Sequence, residues 1–218
     1  MKSFETFIQH LKKEIDKPLP GKEVQFLMAP KVRLELLNAI KDYSSARESS
    51  VLILLYPFKD QVHSILTLRP EYQGFHSRQI SFPGGKREIE DENNEATALR
   101  ETNEEVGINS NEIELIGKLS DHYVYPSNFL IHPFIGIALE KPEFVPERKE
   151  VEKIIEYPIN QLIKPGTKQK KKISLSNGFK ILAPYYAIED QIVWGATAMI
   201  LSEFEYVLSK IKEFNPEF

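Results

Sequence analysis

A glycine-containing turn followed by an acidic helix is the feature that most constrains the fold of this chain. Pro83-Gly84-Gly85 allows the backbone to turn tightly and to approach another group closely. A helix is predicted over residues 93–106. Asp91 can cap its first turn, and Gly107 can end it in the left-handed conformation. Together these signals predict a rigid loop and helix.

Three glutamates share one face of the predicted helix. Glu101, Glu104 and Glu105 are spaced i, i+3 and i+4, which places their side chains side by side. Because three adjacent carboxylates repel one another, we expect a cation between them, and hard oxygen ligands favour Mg²⁺ or Mn²⁺. An exposed acidic helix face is the alternative that these three residues alone leave open.

The residues around the glutamates resemble the Nudix box, the signature of the Nudix hydrolase superfamily. The matching positions are Gly85, Arg100, Glu101, Glu104, Glu105, Gly107 and Ile108. Three features depart from the common pattern. The acid that follows Gly85 is Asp91 rather than Glu, with eight residues rather than seven before Arg100. Thr102 also replaces an apolar residue. The longer spacing is similar to that of the coenzyme A diphosphatase branch.

Other short segments along the chain also resemble that branch. They are Leu66-Thr67-Leu68-Arg69, Phe82-Pro83-Gly84-Gly85, Thr97-Ala98-Leu99-Arg100-Glu101, Pro133-Phe134-Ile135-Gly136 and Trp194-Gly195-Ala196-Thr197-Ala198. Three positions between the first two segments differ from the branch pattern, namely Pro70, Gly74 and Arg78. The superfamily assignment does not depend on these three positions, whereas the coenzyme A assignment does.

The resemblance implies an α/β fold, the Nudix α/β/α sandwich, in which a mixed sheet lies between helices and the box forms a loop-helix-loop motif. Periodicity alone predicts only a mixed α/β domain. The implied reaction is metal-dependent hydrolysis of a diphosphate, with coenzyme A or acyl-coenzyme A giving 3′,5′-ADP and (acyl-)phosphopantetheine. The alternatives are a Nudix diphosphatase for ADP-ribose, a dinucleotide or a nucleoside triphosphate, and a nucleotide-binding Nudix module without activity.

The resemblance also implies roles for individual residues. Glu101, Glu104 and Glu105, with the backbone carbonyl of Gly85, correspond to the metal ligands. Glu104 or Glu150 is expected to orient or deprotonate the attacking water, and Glu147 is the second choice for the place of Glu150.

Arginines are expected to hold the substrate and the box. Arg69 and Arg78 are candidates for binding substrate phosphates, since a guanidinium makes paired hydrogen bonds to phosphate oxygens. A surface salt bridge is the alternative for Arg69. Arg100 and Asp91 are expected to brace the loop rather than to touch substrate.

The resemblance covers about residues 51–209 and implies a Nudix domain, residues 46–218, preceded by an N-terminal helical extension, residues 1–45. Helices are predicted over residues 4–15 and 30–43, and a last helix is predicted to open at Ile192. Strands are predicted at 51–56, 62–68, 113–119 and 130–139, and a hairpin turn at Ser176-Asn177-Gly178. The basic run 168–172 is predicted to be a solvated loop, with binding of an extra substrate phosphate as the alternative.

Composition narrows the class of partner. The net charge of −4 gives no electrostatic reason to expect nucleic acid or an anionic membrane, and the longest aliphatic run, residues 51–56, is too short to cross a bilayer. The absence of cysteine and of an apolar leader favours the cytoplasm. We expect a small nucleotide as substrate, with His122, Tyr123 and Tyr125 able to stack on a base or to pack their loop. Aromatic faces on the N-terminal helices leave a homodimer open.

Overall fold

The protein begins with a helical segment. In a computed structural model, which describes residues 2–39, 42–71, 78–174 and 178–211, this segment contains α1 (Lys2–Ile15), α2 (Lys22–Gln25) and α3 (Leu34–Ala39). The predicted first helix is confirmed. The predicted second helix is wrong in extent, because Lys31–Arg33 forms a 3₁₀ turn before α3. Beyond α3, residues 40 and 41 lie outside the described residues, and the Asp42 side chain accepts from the Ser44 amide in a turn that competes with helix.

A mixed sheet forms the centre of the domain. Its strands are β1 (Arg47–Phe58), β2 (Gln61–Leu68), β3 (Ile80–Ser81), β4 (Gly84–Lys86), β5 (Glu114–Lys118), β6 (His122–Val124), β7 (Phe129–Ile137) and β8 (Lys153–Pro158). The order is β3-β2-β1-β7-β5, with β4 on β1, β6 on β7 and β8 on β2. The β1 and β7 strands run parallel, while the other pairs are antiparallel. The four predicted strands are confirmed, and β1 is longer than predicted.

A second, three-stranded sheet corrects the prediction for the basic run. It contains β9 (Lys168–Ser174), β10 (Lys180–Ile188) and β11 (Gln191–Trp194). The basic run 168–172 is therefore a strand rather than a loop. It pairs with β10 while its lysines stay exposed, as suits an edge strand. Of the predicted turn, residues 176 and 177 lie outside the described residues, although Ser174 pairs with Lys180 as a hairpin requires.

The last helix starts later than predicted. Residues 192–194 belong to β11, and the last helix, α5 (Ala196–Ser209), begins after Gly195. Gly195 has φ 69°, a left-handed conformation that separates strand from helix and that glycine adopts without strain. An apolar run of this length fits a buried strand or a helix equally well, which is why periodicity did not distinguish them.

The two faces of the central sheet carry different helices. Alternation along β1 sends Leu52 and Leu54 to the side of α4 (Asn94–Val106), and Ile53 and Leu55 to the side of α1 and α5. The result is an α/β/α sandwich, as predicted. Buried side chains of α1 share a core with α5, so the first helix packs as part of the domain. The division at residue 45 stays a prediction. In the described part of the chain no helix is long and apolar enough to cross a membrane.

Candidate active site

The helix of the box, α4, is capped differently from the prediction. Asn93, not Asp91, is the N-cap, and its side chain accepts from the Ala96 amide at 2.8 Å. Both residue types can cap a helix, but the Asp91 carboxylate is bound to Arg100 instead. The C-terminal prediction is confirmed, because Gly107 has φ 77° and its amide donates to the Asn103 carbonyl.

Arg100 ties the box loop to the helix. Its Nε and Nη2 atoms donate to the two oxygens of Asp91 at 2.8 and 2.9 Å. Nη2 also donates to the Lys86 carbonyl, and Nη1 donates to Glu104 Oε2 at 2.9 Å. Asp91 is buried, and the hydrogen bonds from Arg100 hold its pKa well below its usual range. These contacts agree with the predicted bracing of the loop.

The two glycines of the turn let the loop lie directly against its neighbours. Gly84 has φ 149°, and a Cβ there would collide with the backbone of Ser50 and Val51 on β1. A Cβ on Gly85 would collide with the carboxylate of Glu101. Because β4 pairs with β1, only glycine permits the close approach at position 84, while a side chain at position 85 would displace the Glu101 carboxylate.

Two carboxylates, one buried and one partly buried, lie behind the turn. The Glu105 side chain is 1% exposed and the Glu101 side chain 13% exposed. Burial raises the pKa of Glu105 to about 7 against the lowering effect of Arg69, and the negative charges of Glu101 and Glu150 add to the rise. Burial likewise raises the pKa of Glu101, and Glu104 and Glu150 contribute. The four predicted carboxylates therefore act on one another electrostatically.

The two candidate substrate arginines occupy different surroundings. Arg69 is partly buried and its Nη2 atom lies 3.3 Å from Glu105 Oε1 and 3.4 Å from the Gly84 carbonyl. It therefore belongs to the acidic centre. Arg78 is 57% exposed on its side chain and lies near Glu71 and Glu152, at 3.7 and 4.0 Å. It does not meet the acidic centre through these contacts, and Gly74 lies outside the described residues.

The acidic side chains of this centre can be compared with the ligands that a divalent cation prefers. Within residues 2–39, 42–71, 78–174 and 178–211, no three acidic or histidine side chains are arranged to enclose a metal ion. One reason is that Glu104, half exposed, is turned toward Arg100. The donor set still fits Mg²⁺ or Mn²⁺, because the Glu101 carboxylate lies against Gly85 and the buried Glu105 carboxylate accepts from the Gly84 amide of the same turn.

One part of the neighbourhood was missed by the sequence analysis. The His132 ring, on β7, contacts Asp121 through Nδ1 at 2.9 Å and lies 3.9 Å from Glu48. His132 pairs with Ser50, which pairs with Gly85, so these residues form one row across three strands. Alternation with the buried Phe134 was the available signal, since it places His132 on the face that α4 covers.

The mixed-sheet sandwich and the acidic loop and helix together define a class of protein. A family model described as the NUDIX domain matches residues 46–176, which is more than half of the 218-residue chain. The chain therefore belongs to the Nudix hydrolase family.

Particular relatives give a closer comparison. Nudix hydrolase 15, mitochondrial, of Arabidopsis thaliana is 30% identical over 172 residues, which cover 76% of this chain and 60% of that protein. Peroxisomal coenzyme A diphosphatase NUDT7 of Mus musculus is 30% identical over 148 residues, covering 67% and 62%. The chain thus spans about three-fifths of the length of these two curated relatives.

Solved structures agree on the fold. The crystal structure of RenU, a Nudix hydrolase from M. smegmatis, matches with a TM-score of 0.54 and covers 78% of this chain and 90% of that one. At 16% sequence identity this likeness concerns the fold alone.

Proposed function

We propose that this protein is a metal-dependent diphosphatase that cleaves coenzyme A or acyl-coenzyme A to 3′,5′-ADP and (acyl-)phosphopantetheine. The observation that carries the proposal is the buried carboxylate of Glu105 and the partly buried carboxylate of Glu101, held against the Gly84-Gly85 turn with Arg69 beside them. Such a concentration of poorly solvated negative charge is costly to a fold, and a bound cation would offset the cost. The partial sequence matches and the coenzyme A diphosphatase among the relatives support the choice of substrate.

The roles of the box residues follow from their positions. Glu101, Glu104 and Glu105, with the Gly85 carbonyl, would hold Mg²⁺ or Mn²⁺. When bound, the cation neutralises phosphate oxygens and lowers the pKa of water. Arg100 and Asp91 keep the loop and α4 in register for this binding.

Two further roles concern the attacking water and the substrate phosphate. Glu104 and Glu150 are the candidates to accept the proton of the attacking water, because both are near enough to influence the pKa of Glu101. Arg69 would donate to a phosphate oxygen, and its contact with Glu105 in the acidic centre supports that role.

A substrate panel tests the proposal. The purified protein is incubated with Mg²⁺ or Mn²⁺ and with coenzyme A, acetyl-coenzyme A, ADP-ribose, NADH, a dinucleoside polyphosphate and a nucleoside triphosphate. We expect the highest kcat/KM for the first two. Clear cleavage of ADP-ribose or a dinucleotide without cleavage of coenzyme A would assign the protein to another class of Nudix diphosphatase. Nucleotide binding without any cleavage would favour the inactive module.

Location and assembly stay predictions. The cytoplasm is favoured by the cysteine-free composition. The names of the two relatives, by contrast, place those proteins in mitochondria and peroxisomes. A homodimer is compatible with exposed apolar side chains of the N-terminal segment, among them Leu27 and Val32. Size-exclusion chromatography with light scattering measures the oligomeric state directly.

A further inference from the structure

A cavity opens beside the sheet, on the side of α5. Its volume is about 250 Å³, enough for one ring system with its substituents, and it lies between α3, residues 122–126 and the beginning of α5. The lining is largely apolar and includes Leu36, Leu37, Tyr123, Tyr125, Trp194 and Met199. Aromatic side chains of this kind stack on flat rings, and every nucleobase presents such a face.

The cavity lies at the same end of the sheet as the box. Lys86 pairs with Ser49, Ser49 with Ile131, and Ile131 with His122, which lines the cavity. Three strand spacings separate Lys86 from His122, a distance of about 14 Å. This is comparable to the length of an extended nucleoside diphosphate. The box carboxylates lie on the α4 face of the sheet and the cavity on the α5 face, so a substrate with its diphosphate at the box would reach the cavity by passing around this end of the strands.

His122, which lines this cavity, has one ring nitrogen without a hydrogen-bond partner among the described residues. Gln25 donates through Nε2 to the Ser120 carbonyl and to Glu203, so its Oε1 atom faces His122 Nδ1 at 2.9 Å. The amide oxygen can only accept, so Nδ1 carries the proton and Nε2 carries a lone pair. The ring is 2% exposed, and Nε2 has no partner among the described residues. A ligand group that donates one hydrogen bond would satisfy this atom.

Two features at the cavity favour an anion. The Arg33 side chain, partly buried, lines the cavity, and no carboxylate of the described chain lies within 4.0 Å of its guanidinium. The N-terminus of the 14-residue α5 also lines it through Gly195 and Ala196, and no side chain caps that terminus. A guanidinium and the amides of a helix N-terminus both bind phosphate.

We infer that this cavity holds the nucleoside end of the substrate, with a phosphate on the ribose bound between Arg33 and the N-terminus of α5. The base stacks among the aromatic side chains, and its exocyclic amino group donates to Nε2 of His122. This inference rests on the proposed function and assigns the 3′-phosphate of coenzyme A to Arg33. Arg33 is the candidate that we favour over the basic run, in which Lys168 pairs with Glu205 at 2.6 Å.

Binding of the product half provides a test that does not require turnover. Trp194 is the one tryptophan in the chain and lines the cavity, so its fluorescence reports on occupancy. The full-length protein is titrated with 3′,5′-ADP and with 5′-AMP, which lacks the 3′-phosphate. We expect Arg33→Ala to raise the Kd of 3′,5′-ADP about ten- to a hundredfold, with little change for 5′-AMP. Arg33→Lys should recover part of the loss.

Lys31→Ala is the matched control, because Lys31 lies in the same 3₁₀ turn, is exposed and does not line the cavity. It should leave both affinities unchanged, and circular dichroism should show that all three variants fold. The ratio of kcat/KM for coenzyme A over dephospho-coenzyme A should fall to about one in Arg33→Ala.

The outcomes separate this inference from the proposed reaction. Arg33-dependent binding of 3′,5′-ADP by a protein that does not cleave coenzyme A would support the cavity and refute the reaction. Cleavage of coenzyme A with 3′,5′-ADP binding unaffected by Arg33→Ala would overturn the inference and leave the reaction in place. A change in Trp194 fluorescence caused by phosphopantetheine, and not by 3′,5′-ADP, would assign the cavity to the other half of the substrate and would also overturn it.

Discussion

Replacing Arg100 with alanine should destabilise the protein more than it disturbs chemistry directly. The Asp91 side chain is 4% exposed and the Arg100 side chain 24% exposed. Removing one partner of a buried ion pair costs about 3–5 kcal/mol, because the other charge stays buried without compensation. Asp91 keeps its hydrogen bonds from the Glu88 amide and the Thr97 hydroxyl, and Arg100 is partly solvated. We therefore expect the lower end of that range, about 3 kcal/mol.

The loss is measurable by thermal unfolding. For a chain of this size a loss of 1 kcal/mol lowers Tm by about 2–4 °C, so Arg100→Ala should lower Tm by about 6–12 °C. Lys12→Ala removes an exposed pair with Glu114, at 43% and 60% side-chain exposure, and should cost less than about 1 kcal/mol. An unchanged Tm in Arg100→Ala, with a raised KM, would show that Arg100 binds substrate and would refute the bracing role.

Two further predictions concern the acidic centre and His122. Glu104→Gln and Glu105→Gln should each lower kcat by about a hundredfold or more without unfolding the protein, as steady-state kinetics and circular dichroism can establish; near wild-type rates would remove these residues from the site. Burial lowers the pKa of His122 to about 4. The unfolded state therefore binds the proton first, and stability falls as pH falls from about 6.5 toward 4. Between pH 7 and pH 5 this contribution is about 2 kcal/mol. Urea unfolding should show a correspondingly weaker pH dependence in His122→Gln, and equal slopes in the two proteins would contradict the assignment.

Local sequence signals were sufficient for the elements that carry the box. The continuous burial of residues 52–56 in β1 follows directly from the apolar run, and the helix after the glycine turn follows from its spacing and from Gly107. Local sequence signals could not identify which residue is the N-cap of α4. Asp91 and Asn93 have equal capping ability, and the choice depends on Arg100, which lies on the far side of the first turn of α4.

Long-range polar contacts could not be predicted from sequence patterns. Glu203 is fully buried and accepts hydrogen bonds from the Gly21 amide, Gln25 and Ser120, which join the N-terminal segment to α5. Up to 182 residues separate these partners along the chain, so no periodicity relates them. The Arg33 cavity depends on the same packing of the N-terminal segment against α5, and for that reason the sequence analysis did not find it.

The reaction itself provides the most direct test. The wild-type protein is incubated with coenzyme A and Mg²⁺ or Mn²⁺ in water enriched in ¹⁸O, and the products are identified by mass spectrometry. We predict 3′,5′-ADP and phosphopantetheine in equal amounts, with one ¹⁸O atom in one of the two products, and no products in the presence of EDTA. Intact coenzyme A under these conditions, in a preparation that cleaves another diphosphate, would contradict the proposed function.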